Sequence, residues 1–486
     1  MSSFHGLEMA KQALFAQQSA LYTTGHNIAN ANTKGYSRQR VQFETDTPFP
    51  VGSRNRPEIP GQLGTGVRAG SVERVRDQFL DTQFRGENSK AGYWEAKAAA
   101  LSRMENVMNE TSDNGLAKSM DLFWNSLQDL ATNPTNSGAR SVVVQRGIAL
   151  ADTFNYLSNS LTKIQGDLQS EINHTVDVAN SLMNQINEIN KQVKQIEPHG
   201  YLANDLYDER DRLIDELSGI VDIKVSYTSS GNGALKTADG LATIELVQGD
   251  NKITLVDGEE LNYHELKVNY NDTTEINVIG KKEEVPIDTS SFTGSLNALV
   301  HAYDEVYPEM ISDLDAMAKA FKKEFNKVHG QGYDLNGDQG KNFFEGSLED
   351  GNFKVNDEII KNPDLIAVSS SEGSDDGDNA LDLADVFDEP IEIGDDGEKT
   401  SVKEFYESII GDLGVSAQEA NRMTENTYIL RSQVDNQRQS VSSVSLDEEM
   451  TNMIKFQHAY NAAARSMTAM DELLDKIING MGIVGR

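Results

Sequence analysis

The residues nearest to a chemical pattern are Asp334, Asn336, Asp338 and Glu345, at positions 1, 3, 5 and 12 of a calcium loop. A hard cation needs several oxygens converging from one sharp turn, and position 6 of such a loop calls for glycine. Gln339 stands there instead, with glycine displaced to Gly337 and Gly340. The four are weak candidates, and no metal is assigned. Gly64, Gly66 and Gly70 miss the spacing of a dinucleotide fingerprint, and no strand precedes them. The eight histidines are scattered without the H-x-x-x-H step that puts two imidazoles on one helix face. Neither G-x-S-x-G nor a Walker loop occurs. Acidic residues abound, so spacing alone leaves a glycosidase carboxylate pair open, and nothing singles one out. With no cysteine, disulfides, thiolate metal sites and cysteine nucleophiles are excluded. The expectation is a protein with no catalytic residue and no cofactor, not an enzyme.

Composition points the same way. Across 486 residues, 43 Lys+Arg against 77 Asp+Glu leave a net charge of −34, which repels nucleic acid and anionic membrane. Hydrophobic residues make up 38% and charged residues 25%, on the polar side for a compact globule and suited to an elongated helical one. Met1 to Met9 lacks a basic stretch followed by an apolar core, so no secretory signal peptide is read there. No run of about 18 apolar residues is present for a membrane span. Taken alone, these features suggest a soluble cytosolic protein.

Two amphipathic helices lie at the ends. From Ser445 to Asn479, Leu446, Met450, Met453, Tyr460, Ala463, Met467, Met470, Leu474, Ile477 and Met481 recur at helical steps, with a gap at Gln457. Ser445 and Glu448 form an S-x-x-E box, and Asp447, Glu448 and Glu449 suit the positive end of the dipole. Between Phe4 and Ile28, Leu7, Leu14, Leu21 and Ile28 repeat at sevens, the step of a coiled-coil seam, though an ordinary buried helix has the same pattern. Asn-rich turn residues end it. From Lys34 to Arg76, eight Lys/Arg meet four Asp/Glu, and between residues 48 and 70 Pro48, Pro50, Pro57 and Pro60 accompany five glycines. That composition reads as an extended arm, either a solvated loop or a contact for an acidic neighbour.

Between the ends, helical periodicity runs from Val72 to Glu197, with a break near Pro134 and then one helix from Asn136 to Glu197, about 90 Å at 1.5 Å per residue. Residues 220–293 switch to period two with turn residues between short runs, an antiparallel β pattern. Helix resumes at Leu296, with a kink expected at Pro308. Glu372 to Glu398 carries twelve acidic residues and no base, read as exposed outer surface. The predicted fold is mainly α with an inserted β part (α+β). Residues 1–44 and 445–486 form a terminal coiled-coil assembly domain, and 45–71 a basic arm. Residues 72–219, 294–329 and 401–444 form a discontinuous helical bundle. Residues 220–293 project outward as an antiparallel β domain, and 330–400 form an acidic outer segment. The two terminal helices become partners by elimination.

The stretch His26 to Arg40, HNIANANTKGYSRQR, resembles the N-terminal motif of bacterial flagellar axial proteins, the rod, hook and hook-associated class; Asn27, Asn30, Asn32, Thr33, Gly35, Tyr36 and Arg38 carry it. The run through Leu446, Phe456-Gln-His-Ala-Tyr460, Asn461 to Arg465 and Met470 to Leu474 is similar to the C-terminal motif of that class. The long helical region, Gly332 to Gly337 with Phe343-Phe344, and the size resemble its hook–filament junction members. Ser443 departs from the glycine common there. The resemblance implies type III export without a cleaved signal, an extracellular place in the flagellum, and terminal helices paired within a tubular assembly. It also implies as partners the hook protein, a second junction protein (hook-associated protein 3), copies of the chain in a ring, and an export chaperone on the C-terminal helix. The chaperone would cover Met453, Tyr460, Met467, Met470 and Leu474, whose thioethers repack against different partners. A hook subunit, or a calcium-binding surface adhesin or enzyme, are the alternatives.

Overall fold

The computed structural model describes residues 3–50, 61–108, 115–248, 251–271, 273–280, 284–288, 292–372, 376–394 and 399–480. The chain opens with α1 (Ser3–Ala29) and a hairpin of β1 (Gln39–Thr45) and β2 (Val67–Arg74). Helices α2 (Gln78–Met108), α3 (Leu116–Thr132), α4 (Ser137–Ile196) and α5 (Asn204–Ile220) follow. Next come β3 (Ile223–Thr228), β4 (Leu241–Gln248), β5 (Asn251–Asp257), β6 (Asn262–Tyr263), β7 (Glu265–Tyr270), β8 (Thr274–Ile279) and β9 (Glu284–Ile287). Then α6 (Ser295–His301) and α7 (Tyr307–His329) lead to short β10 (Phe344–Glu345), β11 (Lys354–Val355), α8 (Asp357–Lys361), α9 (Asp378–Asp385), β12 (Ile391–Glu392) and β13 (Lys399–Thr400). Two long helices close the chain, α10 (Val402–Ser442) and α11 (Leu446–Gly480).

Helix α4 is the spine. Its 60 residues span about 90 Å. It starts where Asn136 caps it, the side chain accepting from the Gly138 and Ala139 amides at 2.8 and 3.2 Å. Pro198 and left-handed Gly200 (φ +81°) end it. Leu150, Phe154, Leu157, Leu161, Leu168, Ile172, Ala179, Leu182, Ile186, Ile189 and Val193 are buried and form its apolar face. Helices α2 and α10 lie antiparallel: Arg438 reaches Asp81, Arg431 reaches Asn88, and Tyr406 donates to the Met108 carbonyl. A capping box at Ser401 and Glu404 starts α10. Helix α2 also approaches α5 closely at Gly92, where a Cβ would fall 2.1 Å from the Gly219 carbonyl oxygen.

The β segment forms two antiparallel sheets, ordered β3-β4-β5-β6 and β7-β8-β9. Two asparagines of α4 tie them to the spine. Asn190 donates to the Ala242 carbonyl at 2.8 Å and accepts from its amide at 3.0 Å. Asn180 does the same to Leu266, at 2.9 and 2.7 Å. Each side-chain amide thus stands in for a strand neighbour. Leu241, Ile244, Leu246, Leu266, Ile276 and Val278 join one core with the helices, so the sheets lie along α4 rather than standing free of it. Between α6 and α7 the backbone widens to a π segment at Ala302–Val306, which accommodates the missing donor of Pro308.

Residues 330–400 were read as an acidic outer segment, but they carry a buried aromatic cluster. Phe343, Phe344, Phe353 and Phe387 pack with Phe123 of α3, Phe154 of α4, and Phe321 and Phe325 of α7, at centroid distances between 4.9 and 6.0 Å. Charge density drew the sequence reading toward solvent, whereas burial of these rings dominates the energetics. Residues 373–375 and 395–398 of the acidic stretch lie outside the described residues.

Candidate functional site

Helices α1 and α11 pair antiparallel. Twenty-one residues separate Gly6 from Asn27, and the same number separates Glu449 from Met470, and each pair meets across the helices. A Cβ on Gly6 would lie 2.9 Å from the Met470 methyl, and Asn27 Nδ2 donates to Glu449 Oε2 at 3.1 Å. The β1–β2 hairpin backs the pair, with the Phe43 ring 6.1 Å from that of Phe456. Along α1 the buried residues are small or polar: Ala10, Ala16, Ala20, Thr23, Thr24 and Asn27. Leu7, Leu14, Leu21 and Ile28 are half-buried.

On α11, Met453, Met467 and Met470 are half-buried and Leu474 is buried, so these four predicted residues face the partner side. Leu446, Met450, Tyr460 and Ile477 are instead exposed, Met450 at 52%. The inward row near the start of α11 runs through Glu449, Met453 and Phe456, one step from the predicted Met450 and Gln457. That offset accounts for the gap in the predicted stripe. Met481 lies outside the described residues. Phe4, Phe15 and Tyr22 of α1, with Ile454, Leu473 and Ile478 of α11, add exposed apolar area. Paired, the two helices still present an apolar surface to solvent.

The motif residues build a clasp at the base of this pair. Asn27 is 1% exposed, and its side chain makes four hydrogen bonds. It donates to the Gln39 carbonyl (2.8 Å) and to Glu449, and accepts from the Gln39 amide (3.0 Å) and the Tyr36 hydroxyl (2.8 Å). Arg38 donates through Nε to Glu449 (2.8 Å) and through Nη1 to Glu448 (2.7 Å), while its amide donates to the Ser442 carbonyl (2.8 Å). Asn30 closes α1 by donating to the His26 carbonyl, and Thr33 donates to Asn30. Gly35 sits at φ +85°, a conformation glycine adopts without strain, close against Arg212. Asn32 is exposed beside this turn. Burial and nearby Asp205, Asp208 and Glu449 push the Tyr36 hydroxyl pKa up, so it stays a donor.

Below the clasp lies an ion network that composition concealed. The Ser37 amide donates to Asp208 at 2.9 Å. Arg74 holds Asp208 and Asp211 at 2.8 and 3.0 Å and also meets Asp239. Arg76 chelates Asp81, and Arg85 bridges Asp211 and Asp215. Burial pushes the Asp211 carboxyl up, but Arg76, Arg74 and Arg85 together pull it far below the usual range. The network joins the hairpin to α2 and α5. Among the described basic residues between Lys34 and Arg76, Arg74 and Arg76 take part, a buried role that net composition does not signal. Residues 51–60 of the basic arm are outside the described residues.

The weak metal candidates do not converge. Asp334 Oδ1 accepts from the Asn336 and Asp338 amides at 2.8 and 3.0 Å, closing a turn. Glu345 accepts from Asn356 at 2.7 Å. Among the described residues no cluster of three or more His, Cys, Asp or Glu suits a metal ion.

Comparison with known proteins agrees with the terminal geometry. The profile of the flagellar hook-associated protein FlgK helical domain matches residues 101–344. That of the flagellar basal body rod protein matches residues 7–36, and that of the flagellar basal body rod FlgEFG protein C-terminal region matches 436–480. Flagellar hook-associated protein 1 of Bacillus subtilis is 49% identical over 507 aligned positions, covering all of both chains. That of Escherichia coli is 26% identical, covering 97% of this chain and 98% of its own. The structure of the flagellar hook junction protein FlgK from Burkholderia pseudomallei shares the fold, with TM-score 0.61 at 13% identity, covering 74% of this chain and all of the other. With terminal helices that pair around the motif clasp and a full-length relative at 49% identity, the chain belongs to the flagellar hook-associated protein 1 family.

Proposed function

We propose that this structural subunit of the hook–filament junction enters its assembly through the outer face of the α1–α11 pair. One observation carries the reading. The body gathers most of its large apolar residues into one core, leaving scattered ones such as Phe79, Tyr201 and Ile429 exposed, whereas of the large apolar residues of the terminal pair Leu474 is buried and Phe4, Phe15, Tyr22, Met450, Ile454 and Ile477 are exposed. Exposed apolar area of this kind is costly in a free protein and favourable once a neighbour covers it. The neighbours would be copies of the chain in a ring, the hook protein on one side and the second junction protein on the other. Before assembly, an export chaperone would cover Met453, Tyr460, Met467, Met470 and Leu474, which requires α11 to leave α1. Half-buried methionines suit that exchange. Export through the type III route would deliver the chain outside the cell. The role proposed is structural rather than catalytic.

Phe15→Arg with Ile454→Arg, both on the exposed outer face, tests the reading. The double variant should be exported with its helical body intact by circular dichroism, yet fail to build the junction and give no motility. Normal swimming would refute it.

A further inference from the structure

We infer that Glu449 is the register key of the α1–α11 pair, read by Asn27 and Arg38, and that it determines which surface the assembled junction presents. This rests on the pairing proposed above.

The apolar part of the seam cannot set a register by itself. On α1 it offers Ala10, Ala16 and Ala20 with half-buried Leu7, Leu14, Leu21 and Ile28, whose repeat at sevens superimposes on itself after a slip of one heptad, and on α11 Phe456, buried Leu474 and the thioethers of Met453, Met467 and Met470. Methyl groups and unbranched thioethers repack after a slip of one heptad with little loss. Selectivity in such a seam comes from a buried polar group whose partners exist in one alignment only. Glu449 is that group. It is 2% exposed, with Oε1 held by Arg38 Nε at 2.8 Å and Oε2 held by Asn27 at 3.1 Å.

A slip of seven residues one way sets Glu449 against Ala20, a methyl group with no donor. The opposite slip sets it at Lys34, beyond the end of α1. Either way a carboxylate loses its partners, and Asn27 must find new ones against Ser442 or Phe456. The same loop fixes the pair to the body, because Ser37 is bound by Asp208 and Arg38 by the Ser442 carbonyl. Register, rotation of the outer apolar face and attachment to the body are therefore set at one point.

Cysteine cross-linking tests this, since the chain has no cysteine of its own. Gly6→Cys is combined with Met470→Cys, which reports the native register, or with Ala463→Cys or Ile477→Cys, which report one-heptad slips. In the otherwise unchanged chain the Met470 pair should oxidise about tenfold more completely than either slipped pair, the selectivity of a lost buried partner. Glu449→Leu should bring the three pairs within about threefold of one another, while Glu449→Gln, which can still accept from Asn27, keeps the preference. Persistence of the Met470 preference in Glu449→Leu overturns the register role alone. Failure of the Met470 pair to form in the unchanged chain overturns the pairing itself.

Discussion

At the residue scale, the buried histidine of the body shows how one side chain can set acid sensitivity. His329 lies beside Phe343, its Nδ1–H donating to the Lys341 carbonyl and its Nε2 accepting from the Ala367 amide at 3.0 Å. Burial disfavours the imidazolium and lowers the pKa to about 4. The unfolded chain takes up that proton near pH 6.5, so the folded state binds fewer protons between the two values. Stability from this group is therefore complete above about pH 6.5 and lost as pH falls toward 4, roughly 3 kcal/mol in all. His329→Gln can keep both hydrogen bonds without titrating. Urea melts should show the parent losing stability relative to the variant as pH falls from 7 to 4.5; parallel pH profiles would assign the acid limb to other groups. The clasp was legible at this scale only in part. HNIANANTKGYSRQR stood out as a turn, but that Asn27 and Arg38 converge on Glu449 needs a contact 422 residues away in sequence. Glu449 was read as a dipole charge because its neighbours on the inward row were misaligned by one step.

At the element scale, periodicity was the better guide. The bounds of α4 were readable because apolar steps and terminators agree there. The places where one element touches another were not. Gly92 of α2 meets the Gly219 backbone of α5, a contact that only a residue without Cβ permits. Gly92→Ala should push the two helices apart and lower stability by about 1–3 kcal/mol, as overpacking does elsewhere. A thermal midpoint equal to the parent's would mean that α5 can shift freely. The strain would be transmitted to Arg85, which links these helices through Asp211 and Asp215, so the ion network would loosen with it. Such networks escape a sequence reading because Arg74 belongs to the hairpin, Arg85 to α2 and Arg76 to the link between them, while the carboxylates are divided among α5, Asp81 of α2 and Asp239.

At the scale of the whole molecule, two properties pull in different directions. A net charge of −34 keeps copies apart in free solution, and the outer face of α1 and α11 draws them together. Screening at physiological salt reduces the repulsion to a range of about 8 Å, leaving short-range apolar contact to decide. The mainly α architecture with its inserted β segment was legible from the order of periodicities. The inward packing of residues 330–400 was hidden, because an acidic run masks the few aromatic residues that bind it to the core. The division of labour between a stable body and an apolar terminal pair is the central claim. Its most direct test is maleimide labelling of single cysteines placed at Phe15, Tyr22, Ile454 and Ile477, with exposed Tyr201 of the body as control. The account predicts ready labelling of all five in the free chain, and protection of the four terminal sites but not of Tyr201→Cys in assembled flagella. Equal labelling of the terminal sites before and after assembly would contradict it.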